Sequence, residues 1–167
     1  MMGGVPDRIA MDLAAYESKT LAEECFICAF LAGEPGKEHL VVAEDEHHVA
    51  FLDRFPTLRG KLLAAPRRHV EHVVRDLTEN EFAALMRFVH RVALALESVV
   101  LSERTYVYSL GSQQGNAHLH WHIAALPPGT PYREQQFVAI MTEHGVLPPD
   151  HAADTALAER IRRAYDG

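Results

Sequence analysis

At 167 residues the chain is long enough for one domain with a substantial hydrophobic core. Hydrophobic residues make up 48% and charged residues 23%, the balance of a globular protein rather than of a disordered or fibrous one. A formal charge of -7 argues against a broad footprint for duplex nucleic acid, although a local pocket can still hold a small nucleotide.

In chain order, residues 7–17 have helical character, with Ile9, Leu13 and Tyr16 on one side. No continuous apolar run marks a secretory signal, and none approaches the roughly 20 residues of a membrane span, so a cytoplasmic location is expected. A short helix is predicted over 25–32, closed by Gly33 with Pro35 and Gly36 beyond. It opens on Cys25 and Cys28, the only cysteines. In a reducing compartment a disulfide across so small a loop is disfavoured, which leaves a metal knuckle or a redox pair. A redox pair normally follows a strand in a βαβ pattern, and none is predicted around Cys25.

Strands are expected at 39–44 and 48–53, joined by the acidic turn Glu44-Asp45-Glu46, and at 61–65, stopped by Pro66. The best helix is 79–98: Thr78 with Glu81 matches a capping box, and Phe82, Leu85, Met86, Val89, Ala93 and Leu96 recur at helical spacing as a core stripe. A fourth strand at 104–110 and a polar loop at 111–116 precede His118-Leu119-His120-Trp121-His122, and Pro127-Pro128-Gly129 ends that segment. Helices are predicted at 134–144 and 151–165. Strands on both sides of one long helix imply an α+β fold with a largely antiparallel sheet of about five strands.

In an extended strand, residues two apart lie about 7 Å apart on the same face. His118, His120 and His122 therefore share one face, while Leu119, Trp121 and Ile123 form an apolar face suited to burial. Three imidazoles in register are costly as mere structure, because they crowd and repel if protonated; a bound metal or anion explains them. One catalytic ion held by all three is a poor fit. His118 and His122 would be about 13 Å apart along the strand, whereas metal–nitrogen bonds are about 2.0 Å long.

The row His-apolar-His-apolar-His resembles the signature of the histidine triad (HIT) superfamily, in particular its zinc-containing bacterial branch. The cysteine knuckle 25–28, the hairpin 44–53 and the strand Gly60-Lys61-Leu62-Leu63-Ala64-Ala65-Pro66-Arg67-Arg68-His69 are similar to the family's segments in the same order. The resemblance covers residues 24–128 and leaves helical extensions at 1–23 and 129–167. It implies a HIT-like fold, a homodimer, and a nucleotide hydrolase or nucleotidyl transferase acting at the α-phosphate through nucleotidyl-His120. Substrates would be nucleoside phosphoramidates, dinucleoside polyphosphates or nucleotide conjugates, with no requirement for magnesium. A neutral imidazole suits that nucleophilic role near pH 7.

On the same resemblance, His122 would bind the α-phosphate and assist the leaving group, and Asp53 would accept from the ribose hydroxyls. Ser109, Gln113, Gln114 and Asn116 would lie along the nucleotide, and a structural zinc would be held by Cys25, Cys28, His69 and His118. Such a shell leaves no open position for chemistry. The remaining histidines, among them His39, His47, His48, His72, His90, His144 and His151, are expected to be solvated or hydrogen-bonded, His47 being the nearest rival to His69. Two departures stand out: Lys61 occupies the place of the usual third-strand histidine, and the loop 111–116 is shorter and differently substituted. They keep a second reading open, a nucleotide-binding regulatory module with little turnover.

Overall fold

The computed structural model describes residues 7–167; the first six residues of the expected N-terminal extension lie outside them. Five strands, β1 (Val41–Glu44), β2 (His48–Leu52), β3 (Leu62–Pro66), β4 (Arg104–Tyr108) and β5 (Trp121–Leu126), form one antiparallel sheet in the order β1-β2-β3-β5-β4. The expected α+β class holds. Every residue of β2 and β3 is buried, which requires cover on both faces of the sheet.

On one face lies the long helix α3 (Glu79–Val99), begun by the Thr78–Glu81 capping box anticipated from the sequence. Its buried residues are Leu85, Phe88, Val89, Val92, Ala95 and Leu96. The stripe is thus wider than the predicted one and rotated: Phe88, Val92 and Ala95 join it, while Phe82 is partly exposed at its edge. The reason is a second partner. Helix α5 (His151–Asp166) contributes Leu157, Ala158 and Ile161 to the same core, so α3 buries one flank against the sheet and another against α5. Leu119 and Ile123 are buried in this core and Trp121 packs half-buried on it, beside Phe82. The apolar face of the histidine row therefore faces inward, as expected.

The opposite face is covered by α2 (Phe26–Leu31), which sets Ile27 against Val49, Phe51, Leu63 and Ala65. Further along, α4 (Phe137–Ile140) sets Ala139 against Leu58, Ala124 and Leu126. Two expected helices are corrected. The first helix, α1, runs over Leu13–Ala22 rather than 7–17. Ile9 pairs its backbone with Val146, so helix begins only after Asp12, whose side chain caps the Ala15 N–H. The helix expected at 134–144 is broken into α4 flanked by single 3-10 turns at Tyr132–Glu134 and Thr142–His144. Gln136 there adopts φ 55°, which no helix tolerates.

Candidate active site and metal cluster

Cys25 caps α2 with its own sulfur, accepting from the Cys28 N–H, so both thiols sit at one helix start. Pro66 ends β3, and the chain beyond it carries His69 to the same place. His118 arrives from the segment leading into β5. The ligand atoms of Cys25, Cys28, His69 and His118 lie within 4.8 Å of one another. His118 Nδ1 is 3.4 Å from Cys25 Sγ and 3.6 Å from Cys28 Sγ, and His69 Nδ1 is 3.3 Å from Cys28 Sγ. A tetrahedron with zinc bond lengths has nitrogen–sulfur edges of about 3.6 Å.

The backs of both imidazoles are also held. His118 Nε2 donates to the Pro66 carbonyl at 2.8 Å, and His69 Nε2 lies 3.1 Å from a Glu71 carboxylate oxygen. Acceptors at Nε2 put the proton there and leave the Nδ1 lone pairs aimed at the sulfurs, the outer arrangement of metal-bound histidines. Burial and the adjacent Cys25 thiol push the Cys28 thiol up to about 11; a divalent cation is what would let both sulfurs ionise. The donor set fits a closed Cys2His2 zinc site. His47, the sequence-level rival, is exposed beside Glu46 and outside the cluster.

The other two triad histidines face a cavity of about 350 Å³. His120 is 4% exposed, and its Nδ1 donates to the His118 carbonyl at 2.6 Å. With the proton fixed at Nδ1, Nε2 keeps its lone pair. Ser109 Oγ donates to the His120 carbonyl at 2.8 Å and pins the backbone. Phe26 meets the ring edge-on at 5.9 Å. His122 stands 5.0 Å from His120 and stacks on Tyr108 at 4.8 Å. Burial, and then the Lys61 charge, lower His122 to about 3; burial lowers His120 as well. Both imidazoles are neutral at pH 7.

Asp53, just past β2, is tied to β3 by its backbone N–H, which donates to the Lys61 carbonyl at 2.9 Å. Its side chain accepts from the Phe55 N–H and pairs with Lys61 Nζ at 3.1 Å. Burial alone would raise this carboxyl, but Lys61 holds it below the usual carboxylate range. Burial would likewise lower the Lys61 ammonium, and Asp53 raises it instead. Lys61 reaches this position from Gly60, whose φ of 73° lets the chain turn where a Cβ would lie 3.0 Å from Leu96 Cδ1.

Among the expected nucleotide contacts, Asp53 and Asn116 line the cavity beside His120 and His122. Gln113 and Gln114 are exposed and off its wall, and the Ser109 hydroxyl is spent on the His120 carbonyl. The loop 111–116 is fastened to the N-terminal extension. The Gly115 N–H donates to Thr20 O at 3.2 Å, its carbonyl accepts from Phe26 N–H, and a Cβ on Gly115 would lie 2.7 Å from Thr20 O.

Further wall residues went unnoticed in the sequence. Tyr16, Thr20 and Glu23 come from α1 and its end, and Ile140, Met141 and Thr142 come from the C-terminal extension. His39 also lines the cavity. Expected in a turn or on a polar face, it is instead enclosed by Phe26, Phe30 and Phe51, with ring centroids 4.5–6.0 Å away, and burial lowers it to about 4. An unbroken apolar run following His39 was the available signal.

A family model described as the HIT domain matches residues 34–128. The chain belongs to the HIT family. Among curated relatives of this HIT protein, Protein hit of Bacillus subtilis is 29% identical over 110 residues, 64% of this chain and 72% of the relative. An uncharacterised HIT-like protein of Methanocaldococcus jannaschii is 31% identical over 102 residues, 59% of this chain and 76% of its own. Among solved structures, a hypothetical histidine triad nucleotide-binding protein from Sulfolobus tokodaii superposes with a TM-score of 0.68 at 25% identity, covering 85% of this chain and 92% of that one. A zinc-bound histidine triad family protein from Mycobacterium smegmatis gives 0.67 at 21%, covering 85% and 93%, and shares the fold. Among the described residues no helix is long and apolar enough to cross a membrane.

Proposed function

We propose that this HIT protein is a nucleotide hydrolase or nucleotidyl transferase that works through a covalent nucleotidyl-His120. The observation that carries the reading is the 2.6 Å hydrogen bond from His120 Nδ1 to the His118 carbonyl. It fixes the tautomer, so that a neutral Nε2 lone pair is available as the nucleophile beside a cavity of nucleotide size.

Nε2 attacks the α-phosphorus, the bond from phosphorus to the leaving group breaks, and its electron pair goes with the leaving group. The substrate's negative charge raises the basicity of His122 on binding, so His122 holds the proton that the departing group takes. Water, or an acceptor in transfer, then cleaves the phosphorus–nitrogen bond. That step frees His120 and returns a proton to His122. Asp53 retains lone pairs beyond those used by Phe55 and Lys61, enough for ribose hydroxyls. Asn116 lines the same wall; Gln113 and Gln114 act through the position of the loop, and Ser109 through the His120 backbone.

Cys25, Cys28, His69 and His118 would hold a structural zinc, tying α2 to the sheet, and no added magnesium is required. Cys25 and Cys28 form no disulfide, which suits the cytoplasm. The catalytic unit would be residues 24–128, with 1–23 and 129–167 as extensions. A homodimer formed along β4 is part of the reading. β4 is an edge strand with Val107 partly exposed, and Leu101 and Leu110 are exposed nearby, an edge that favours pairing. Sedimentation velocity checks it.

The second reading, a nucleotide-binding module with little turnover, draws on the Asp53–Lys61 pair, which engages a carboxylate the reaction would use. Incubation with a labelled adenosine phosphoramidate, rapid quenching and mapping by mass spectrometry decides between them. Label on His120 is the expected result. Tight nucleotide binding with neither label nor product would select the module, and label on another residue would end the His120 assignment.

A further inference from the structure

Lys61 is only 3% exposed, yet it borders the cavity. A buried ammonium is expensive unless its charge and its donors are met. It has three N–H donors, and Asp53 Oδ2 at 3.1 Å and the Tyr108 hydroxyl are the groups that meet it. Around it the polar floor is not fully used. His122 Nδ1 is buried without a hydrogen-bond partner, and the Tyr108 hydroxyl is buried beside the Lys61 ammonium. Tyr108 stacks on His122, so these groups and Lys61 form one patch on the side of the cavity that holds His120.

The other cations on the cavity wall are less buried than Lys61. Lys19 and Lys37 pair with Glu23, and Arg54 Nη2 donates to the Glu38 carbonyl at 2.8 Å. Lys61, the most buried of these cations, lines the same cavity as His120 and His122 and holds a donor in reserve.

We propose that Lys61 is a substrate-binding residue of this site, donating from its ammonium to a phosphoryl oxygen of the ligand while Asp53 stays on the same nitrogen. A lysine at this place then makes the site favour a phosphorylated nucleoside over the bare nucleoside. Lys61 spans the ribose anchor and the phosphate, so it also sets their spacing. The proposal rests on the nucleotide reading for its ligand, but not for its residue.

Calorimetry with AMP, adenosine and inorganic phosphate separates the two. In Lys61→Met, AMP and phosphate should bind at least about tenfold more weakly, the usual worth of a hydrogen bond to a charged group, while adenosine changes by less than about threefold. Lys61→Arg should recover most of the AMP affinity. Should an unpaired Asp53 keep Lys61→Met from folding, the double variant Lys61→Met/Asp53→Asn removes both charges. Its ratio of AMP to adenosine affinity should then fall at least tenfold relative to Asp53→Asn alone.

An unchanged ratio, or AMP affinity restored in the double variant, would show that Lys61 only neutralises Asp53 and would overturn the proposal while leaving the nucleotide reading intact. Wild type that binds phosphate through Lys61 but neither AMP nor adenosine would remove the nucleotide reading alone. Wild type that binds none of the three overturns both.

Discussion

His118 and His122 lie four residues apart on one face of a single segment, yet they end in opposite chemical settings. His118 is fully buried, with Nε2 on the Pro66 carbonyl and Nδ1 against two sulfurs. It is held rigidly within the Cys2His2 cluster. His122 stacks on Tyr108 with Nδ1 unpartnered and faces an open cavity. His120 sits between them and takes its tautomer from the backbone of one neighbour while standing 5.0 Å from the ring of the other. An identical residue type at identical spacing acquires a role from whatever meets its second nitrogen. The cluster end is met from within the protein, and the cavity end keeps polar groups without partners.

The largest expected break in this comparison is at His120. His120→Ala should lower turnover of an adenosine phosphoramidate by on the order of 10⁴-fold or more, with AMP affinity retained, because it deletes the proposed nucleophile but not the walls. Steady-state rates together with calorimetry measure both halves. A loss of binding equal to the loss of rate would count against the division between the two ends.

At the metal end, Cys25→Ser should reduce zinc measured by elemental analysis and lower the unfolding free energy by several kcal/mol, since metal affinity is folding energy in such a shell. Turnover per folded molecule should change far less. Full zinc occupancy with an unchanged melting temperature would refute the ligand assignment.

The cavity end should also shape the pH dependence of stability. His122 and His39 are lowered to about 3 and about 4, mainly by burial, from an ordinary value near 6.5. Below pH 6.5 the unfolded chain binds protons that the folded one refuses, so their share of stability is present at pH 7 and lost as pH falls towards 4. Urea unfolding at pH 7 and pH 5 should show a loss of roughly 2–4 kcal/mol from this source. His39→Phe, which keeps the aromatic contacts, should shrink the difference; an identical pH response in that variant would mean His39 does not contribute. Smaller still is Asp53→Ala, expected to raise the Michaelis constant by about tenfold with less effect on the chemical step. Initial-rate measurements over a range of substrate concentrations resolve the two.

Much of the fold was legible because its signals are local. The Thr78 capping box, the turn at Glu44-Asp45-Glu46 and the alternation from His118 to Ile123 each depend on a few adjacent residues and one period. Residues 118–120 nevertheless lie before β5 begins at Trp121, with Leu119 N–H bonded to the Val70 carbonyl rather than to a neighbouring strand. The rotated stripe of α3 was not legible, because no local pattern says that α5 will return to cover Phe88 and Val92. The broken 134–144 segment was missed for a related reason: its apolar residues follow helical spacing, but Gln136 turns at φ 55° to meet Tyr106, whose hydroxyl accepts the Gln136 N–H.

By itself the sequence determined which side chains share a face, which residues cap and break helices, and which residue types are available for metal and nucleophile chemistry, since these follow from backbone periodicity and composition. Only the tertiary structure decided what each side chain meets. It carried His69 and the two cysteines to His118, set Lys61 against Asp53, and enclosed His39 in a ring of phenylalanines. It also walled the cavity with residues from both extensions. Protonation state, tautomer and charge depend on partners distant in the chain, and those partners exist only once the chain has folded.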